Sequence, residues 1–509
     1  MTTDLSTITF TNQADIVPVF GVVDDIVNTA IAKTLDGNDT ITGTWPPPNP
    51  PPPSPSSGYG IFNSGTLDTG DGKDIITGTG GYYYFNPSPA SGSGIYNTGT
   101  FNTAEDNDII TGIGERCGIY NTDTFNTGDG NDIITANAAY FRGIVNSGTF
   151  DTAEGDDIIT ATASGIGRGI ENIDTFNTGD GNDLITATGK DGGIYNSGKF
   201  NTADGNDEIT GSSSRYEAIS IDNGSTFDTG NGKDRISGKS GIGTGIYNGS
   251  ITFNTGDGND TIDGLGGFYG IQNTGLINTG KGKDTIIAKG GTILTGSGSG
   301  LSNSSTIDTG DGDDTITGSG GIDNGGTIDT GDGDDIIASI SSLSDGYQII
   351  TGLYEFSNAG TIDTGKGNDS IISDRSLIIG TGGTINTGDG KDFITSANGI
   401  ENHGTINTGY GADSIIANGG FSGMGSVFLE NGKDSLEGFG TGYFNGGNHQ
   451  DTLVLPSGKT YTVGISMGTV SFTNNGVIMY TSDFEKLEGT SGTTTYPFTS
   501  LKNGQKINL

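Results

Sequence analysis

Apolar residues recur along the chain in very short alternating runs, each followed by a polar, glycine-rich turn. Alternation with a period of two puts one side chain inward and the next outward, which is the mark of a strand. Three kinds of run repeat in fixed order. The first reads G-I-x-N, with Ile61 and Asn63 on one face. The second reads T-(F/I)-x, centred on Leu67, Phe101 or Ile328. The third is x-I-x, with Ile76 inward and Ile75 outward.

The third run always follows the same acidic turn. Thr69-Gly70-Asp71-Gly72-Lys73-Asp74-Ile75-Ile76-Thr77 is one copy and Thr309-Gly310-Asp311-Gly312-Asp313-Asp314-Thr315-Ile316-Thr317 another. Sixteen copies lie between Asp39 and Asp434, 21 to 35 residues apart. The sixth position is Asp in all of them, and the eighth is Ile except for Leu436 in the last. A fixed period of this length is the signature of a solenoid. Each repeat offers about three inward apolar side chains, too few to fold alone, so repeats must stack and share a core. The expected fold is all-β: a parallel β-solenoid of about 16 rungs with terminal caps.

Stacking would build columns of like residues. Ile110, Ile134, Ile159 and Ile185 begin one. Phe101, Phe125, Phe150, Phe176, Phe200, Phe227 and Phe253 form a second, which gives way to Ile277, Ile307, Ile328, Ile362, Ile385 and Ile406. Asn97, Asn121, Asn146, Asn172 and Asn196 form a third, expected to be a corner ladder of amides. Residues 1–32 lack the acidic phrase and read as an N-terminal cap, 33–440 as the repeats, and 441–509 as a C-terminal β cap. Strand-like runs at Thr460–Val463, Thr469–Thr473 and Val477–Tyr480 support the last assignment. Pro46 to Pro55 reads as an extended polyproline spacer within the repeats.

Composition sharpens this picture. Of 509 residues, 95 are Gly and only 30% are hydrophobic, so without the period the chain would read as disordered. The net charge is −39 with 22 Lys and Arg, which excludes nucleic acid as a natural partner and points to cations. Cys117 is the only cysteine, so any stability outside the cell comes from something other than an intramolecular disulfide. No cleaved N-terminal signal peptide and no transmembrane segment are expected, since Lys33 is the first basic residue and Ile16 to Val23 is short and broken by Pro18 and Gly21.

The candidate metal ligands are the sixth-position carboxylates: Asp39, Asp74, Asp108, Asp132, Asp157, Asp183, Asp207, Asp234, Asp260, Asp284, Asp314, Asp335, Asp369, Asp392, Asp413 and Asp434. Stacked one repeat apart they would repel, and a divalent cation between them would remove that penalty. Calcium takes six to eight oxygens, and no His or Cys recurs at this register to favour a softer metal. The phrase resembles the nonapeptide G-G-x-G-x-D-x-U-x of RTX (haemolysin-type) calcium-binding repeats, with Thr69 at the first Gly, Gly70 and Gly72 at positions two and four, Asp74 at the Asp and Ile76 at U. That resemblance spans roughly residues 34–455. It implies multiple bound Ca2+, calcium-dependent folding, export by a type I machinery that reads an uncleaved C-terminal signal, and an extracellular or cell-surface location. The chain departs from the family in replacing one of the two nonapeptides of each turn by N-x-G-T-(F/I), so calcium is expected on one edge only. Lys281, Lys366 and Tyr410 at the third position, Ala104, Ala153 and Ala203 at the second and Asp106 at the fourth mark turns expected to bind weakly.

The function expected is that of a secreted calcium-binding protein with a structural or adhesive role, for which an extracellular or cell-surface polysaccharide is a candidate partner. An enzyme acting on polysaccharide is one alternative. Carboxylates are too abundant here for a catalytic pair to stand out, no H-E-x-x-H occurs, and the two histidines, His403 and His449, read as turn residues, so no catalytic residue is assigned. An ice- or mineral-binding rod is the other, suggested by the column Thr66, Thr100, Thr124, Thr306 and Thr327.

Overall fold

A computed structural model describes residues 3–18, 26–45, 56–83, 92–290, 298–340 and 355–509. The polyproline segment, and most of the insertions at Gly80–Ser93 and Ile340–Glu355, lie outside these residues. The chain divides into two compact units, Met1–Gly267 and Phe268–Leu509. Each is a parallel β-solenoid in which every coil gives one short strand to each of three parallel sheets.

In the first unit the three runs read from sequence become the three faces. The coil Ile95–Asn97, Thr100–Asn102 and Ile109–Gly114 pairs with Cys117–Asn121, Thr124–Asn126 and Ile133–Ala138 of the next. Pairing is in register, like on like: Ile95 with Ile119, Phe101 with Phe125, Ile110 with Ile134. The same register continues through Ile246, Phe253 and Ile262. All of these side chains are fully buried, while Ile75, Ile133 and Ile158, one position earlier than the third-face isoleucines, remain about 40% exposed. A slip of one residue would exchange the two sets, so the alternation itself fixes the register.

The Phe column is stacked. From Phe101 to Phe227 successive ring centroids lie 4.5 to 4.8 Å apart with interplanar angles of 1 to 6°. The column ends in an edge contact, Phe227 to Phe253, at 72°. Each such pair contributes roughly 0.5–1.5 kcal/mol beyond the area it buries. The asparagine column forms the expected corner ladder. Nδ2 of Asn97 donates to Oδ1 of Asn121 at 2.8 Å and to the carbonyl of Thr124 at 2.7 Å. The pattern runs from Asn28 to Asn196 and stops where Ile221 takes the position.

The coil register begins upstream of the first acidic phrase. Thr3–Asp4 pairs in parallel with Ile26–Val27, and Ile16–Pro18 with Thr40–Thr42. Leu5, in the one-turn 3-10 helix Leu5–Thr7, is wholly buried against strands Ile26–Asn28 and Ile31–Lys33.

The second unit repeats the scheme with isoleucine in place of phenylalanine: Ile277, Ile307, Ile328, Ile362, Ile385 and Ile406 stack in register. It closes on antiparallel strands. Thr460–Ser466, Thr469–Asn474 and Val477–Ser482 form a meander, and Lys506–Asn508 pairs with Thr460–Thr462. Tyr461, Val463, Phe472, Met479 and Ile507 bury the apolar face of this cap. A solenoid needs such an end to cover its last coil and its open strand edges.

Glycine takes the fourth position of every acidic phrase but one, where Asp106 stands at φ +87°. Gly312 has φ +154°, and a Cβ there would lie 1.5 Å from the carbonyl oxygen of Gly282 one coil away. The second position is left-handed but less crowded, so alanine is present there in three turns, with Ala104, Ala153 and Ala203 at φ 58 to 64°. Gly312→Ala is expected to lower stability in a denaturant titration by about 1–3 kcal/mol through overpacking. Ala203→Gly is expected to raise it by up to about 1 kcal/mol by relieving a left-handed non-glycine residue. A tolerated Gly312→Ala would contradict the close stacking of the turns.

Candidate functional site

The acidic turns lie on one corner of the coil, immediately before the third-face strand, and they stack. In the first unit the sixth-position aspartates Asp39, Asp74, Asp108, Asp132, Asp157, Asp183, Asp207, Asp234 and Asp260 form one column. In the second, Asp284, Asp314, Asp335, Asp369, Asp392, Asp413 and Asp434 form another. All sixteen are at most 1% exposed.

Two backbone bonds lock each aspartate to the next coil. The N–H of Asp108 donates to Oδ1 of Asp132 at 2.8 Å, and the carbonyl of Asp108 accepts from the N–H of Ile133 at 2.8 Å. The side-chain bond recurs at 2.7 to 3.0 Å along both columns. Each carboxylate therefore caps a backbone N–H that the tight turn would otherwise leave buried without an acceptor.

Sequence reading missed the two ends of this ladder. Asp15 donates its N–H to Oδ1 of Asp39 at 2.7 Å and so precedes the first full phrase. Asp451, in the degenerate turn after Asp434, accepts from the Asp434 N–H at 2.9 Å. The Asp451 N–H in turn donates to Oε2 of Glu485 at 2.8 Å, where a longer side chain ends the column. An outer ladder was also missed. Where the preceding coil carries Asn or Asp at the fifth position, the N–H of the next fifth-position residue donates to it, as Asn131 does to Oδ1 of Asn107 at 2.8 Å and Asn182 to Oδ1 of Asp156 at 2.7 Å. The recurrence of Asn and Asp at that position was the available signal.

The second carboxylate oxygen is the anomaly. Oδ2 of Asp74, Asp108, Asp132, Asp157, Asp183, Asp314, Asp335, Asp392, Asp413 and Asp434 is buried and accepts no hydrogen bond. The threonine five residues upstream sits beside it and is aligned to donate in the coils of Thr202, Thr229 and Thr364. In some other coils its hydroxyl turns to the next coil, as Thr103 does to the carbonyl of Thr127 at 2.9 Å. A buried, unpaired carboxylate oxygen is costly. Burial accordingly pushes the carboxyls of Asp108, Asp157 and Asp207 up to about 8 and those of Asp74, Asp314, Asp335, Asp369 and Asp434 to about 7. Those of Asp132, Asp183, Asp234 and Asp413 rise to about 6. The accepted N–H bond and the threonine hydroxyl pull in the opposite direction but do not cancel the effect of burial.

A buried oxygen without a hydrogen-bond partner in these ten turns calls for a proton or a cation. The donors at hand are all oxygens, from the aspartate and the threonine, which suits a hard cation such as calcium. One oxygen of each carboxylate is already committed to a backbone N–H. Among the described residues no three acidic, histidine or cysteine side chains converge on a point. The donor chemistry thus fits calcium through Oδ2 of neighbouring coils rather than through whole carboxylates. The weakened turns keep the same geometry: Ala104 and Asp106 hold left-handed backbones, and Asp108 in that turn joins the ladder like any other. His403 lies apart, 3.0 Å from Glu401 on the surface, whereas His449 sits in the last turn, two residues before Asp451, with Nδ1 against the carbonyl of Asn448.

These shifts set a direction for pH. A carboxyl held above its ordinary value binds its proton more tightly folded than unfolded, so its contribution is complete below pH about 4 and is lost as pH rises through 6 to 8. In chelator the protein is expected to melt at a lower temperature at pH 8.5 than at pH 5.5. Asp157→Asn, which has the shape of the protonated acid, should be tolerated and should flatten that dependence, whereas Asp157→Ala leaves the Asp132 N–H without its acceptor and should cost about 1–3 kcal/mol at both pH values. Stability that rises between pH 5.5 and 8.5 without metal would be incompatible with a buried carboxyl ladder. No protein-family model and no curated protein matches the chain, so its functional reading rests on this geometry and on the repeated turn.

Proposed function

We propose that the chain is an extracellular or cell-surface calcium-binding protein with a structural or adhesive role, and not an enzyme. The observation that carries this reading is the set of buried carboxylate oxygens left without hydrogen-bond partners in ten of the acidic turns, from Asp74 to Asp183 in the first unit and from Asp314 to Asp434 in the second. In the ionised form these oxygens, with the upstream threonine hydroxyls, would hold Ca2+. The cation would supply the positive charge that a stack of carboxylates lacks. The turn's resemblance to RTX repeats supports calcium as the cation and type I export as the route. The −39 charge fits a protein stabilised by bound cations in a calcium-rich medium.

A structural role follows from how little else the coil offers. Its interior is filled by stacked side chains, and among the described residues no helix is long and apolar enough to cross a membrane. What the coil presents outward is three faces of short strands, repeated at constant register, a regular surface for holding or contacting an extended polymer.

Thermal melts at pH 7.5 in 2 mM calcium, in 2 mM magnesium and in EDTA test the reading. Calcium is expected to raise the midpoint above that in magnesium and in EDTA, and equilibrium dialysis should retain several calcium ions per chain. Replacing Asp108, Asp157 and Asp207 together by Asn should lower that stoichiometry without unfolding the chain. Identical melts in calcium and EDTA, with no retained calcium, would reject a cation-bound ladder.

A further inference from the structure

The chain holds six arginines, and four of them, Arg116, Arg142, Arg168 and Arg215, fall within one hundred residues of a protein of net charge −39. They meet at a single corner, where the third-face strand of one coil turns into the first-face strand of the next. The corner is stacked by backbone bonds: Arg142 N–H to the carbonyl of Arg116, Arg168 N–H to that of Phe141, and Asp191 N–H to that of Gly167. Arg142 and Arg168 consequently occupy equivalent positions on adjacent coils.

Both guanidiniums are held in place. Nε of Arg142 donates to Oε2 of Glu171, and Nη1 of Arg168 lies 3.6 Å from the same oxygen. Arg168 also lies over the ring of Tyr195, its Cζ 3.9 Å from the centroid, and the Tyr195 hydroxyl donates to Asp222 at 2.6 Å. One carboxylate thus serves two cations, and each guanidinium has more N–H donors than that oxygen can take. A planar guanidinium fixed on a ring and a carboxylate is already ordered for a bidentate partner.

Beside them opens a groove of about 530 Å3 lined by Phe141, Arg142, Ile166, Arg168, Asp191 and Tyr216. Tyr216 and Ile166 are about half exposed. Gly167 and Glu217 complete the lining, which combines two ordered cations, two carboxylates, two aromatic rings and an apolar edge. This is the chemistry of an acidic sugar: Arg for the sugar carboxylate, Asp191 to accept from hydroxyls, and aromatic faces for the C–H surface of the ring. We propose that this groove binds a uronate unit of an acidic polysaccharide, with Arg142 and Arg168 taking its carboxylate. The proposal rests on the adhesive role given above and names its partner. The anion must compete with a strongly negative protein, and the four arginines make this corner the place where it can.

Titration calorimetry on the full chain in calcium, with its melt recorded alongside, tests the groove. The probe is a tetrasaccharide alternating glucuronate and N-acetylglucosamine; a neutral glucan tetrasaccharide and free sulfate serve as comparisons. Binding of the acidic sugar is expected, with the neutral sugar and sulfate at least tenfold weaker. Arg168→Gln should weaken binding about tenfold and Tyr216→Ala several-fold, and Arg235→Gln, on another face, should change nothing. Tyr216→Ala keeps the test valid if Arg168→Gln disturbs Glu171. A folded, calcium-stabilised protein that binds no acidic sugar, or binds it equally in the Arg168 and Tyr216 variants, would overturn the groove while leaving the calcium reading intact. Equal binding of the neutral sugar or of sulfate alone would overturn it as well.

Discussion

The structure depends on one constraint: in a parallel coil every residue lies on its own copy. Each inward position must therefore be chemically compatible with itself. Isoleucine and phenylalanine meet this easily, and the phenyl rings do so within 1 to 6° of parallel. Asparagine meets it because its amide carries a donor and an acceptor, so Asn97 can donate to Asn121 while accepting from Asn63. Aspartate does not meet it. A carboxylate has acceptors only, and its neighbour is another carboxylate.

The acidic corner is the resolution of that conflict. The turn exposes a backbone N–H at each aspartate, and one carboxylate oxygen of the adjacent coil takes it. This satisfies the backbone, fixes the spacing of the coils and leaves the second oxygen over. The two polar ladders of the coil thus differ in kind. The amide ladder is closed upon itself, and the carboxylate ladder is open by one acceptor wherever the upstream threonine does not donate to it, as at Asp108 and Asp157.

How far the sequence carried is a matter of which signals repeat. The three faces, the inward isoleucines, the phenylalanine column and the asparagine corner were legible because each depends on a residue recurring at one place in the period. The C-terminal strands were legible from ordinary alternation. The ladder ends were not. Asp15 has no phrase around it, and Glu485 reaches the column only because its side chain is longer. The side-chain geometry of the aspartates was legible in position but not in partner. Alignment of carboxylates suggested a metal bridging whole groups, whereas the backbone N–H claims one oxygen first. The arginine corner was invisible for a related reason. Arg116, Arg142 and Arg168 sit in segments of unequal length, so no period lines them up before the coils are stacked.

The identity of the sixth residue is where the physical argument bears on function. Asparagine at this position would accept the same N–H with its carbonyl oxygen, bring no charge into the stack and leave no carboxylate oxygen unpaired. The chain demonstrably uses such amides, buried and stacked, at the neighbouring corner. Yet all sixteen turns carry aspartate, while the seventh position beside it varies widely. For holding the backbone alone, the charged residue is the worse choice, because burial raises its carboxyl by several units and adjacent copies repel. What it has and the amide lacks is an oxygen with negative charge available to a proton or a metal. A purely structural ladder gives no reason for that choice, whereas a ladder that closes upon a bound cation does.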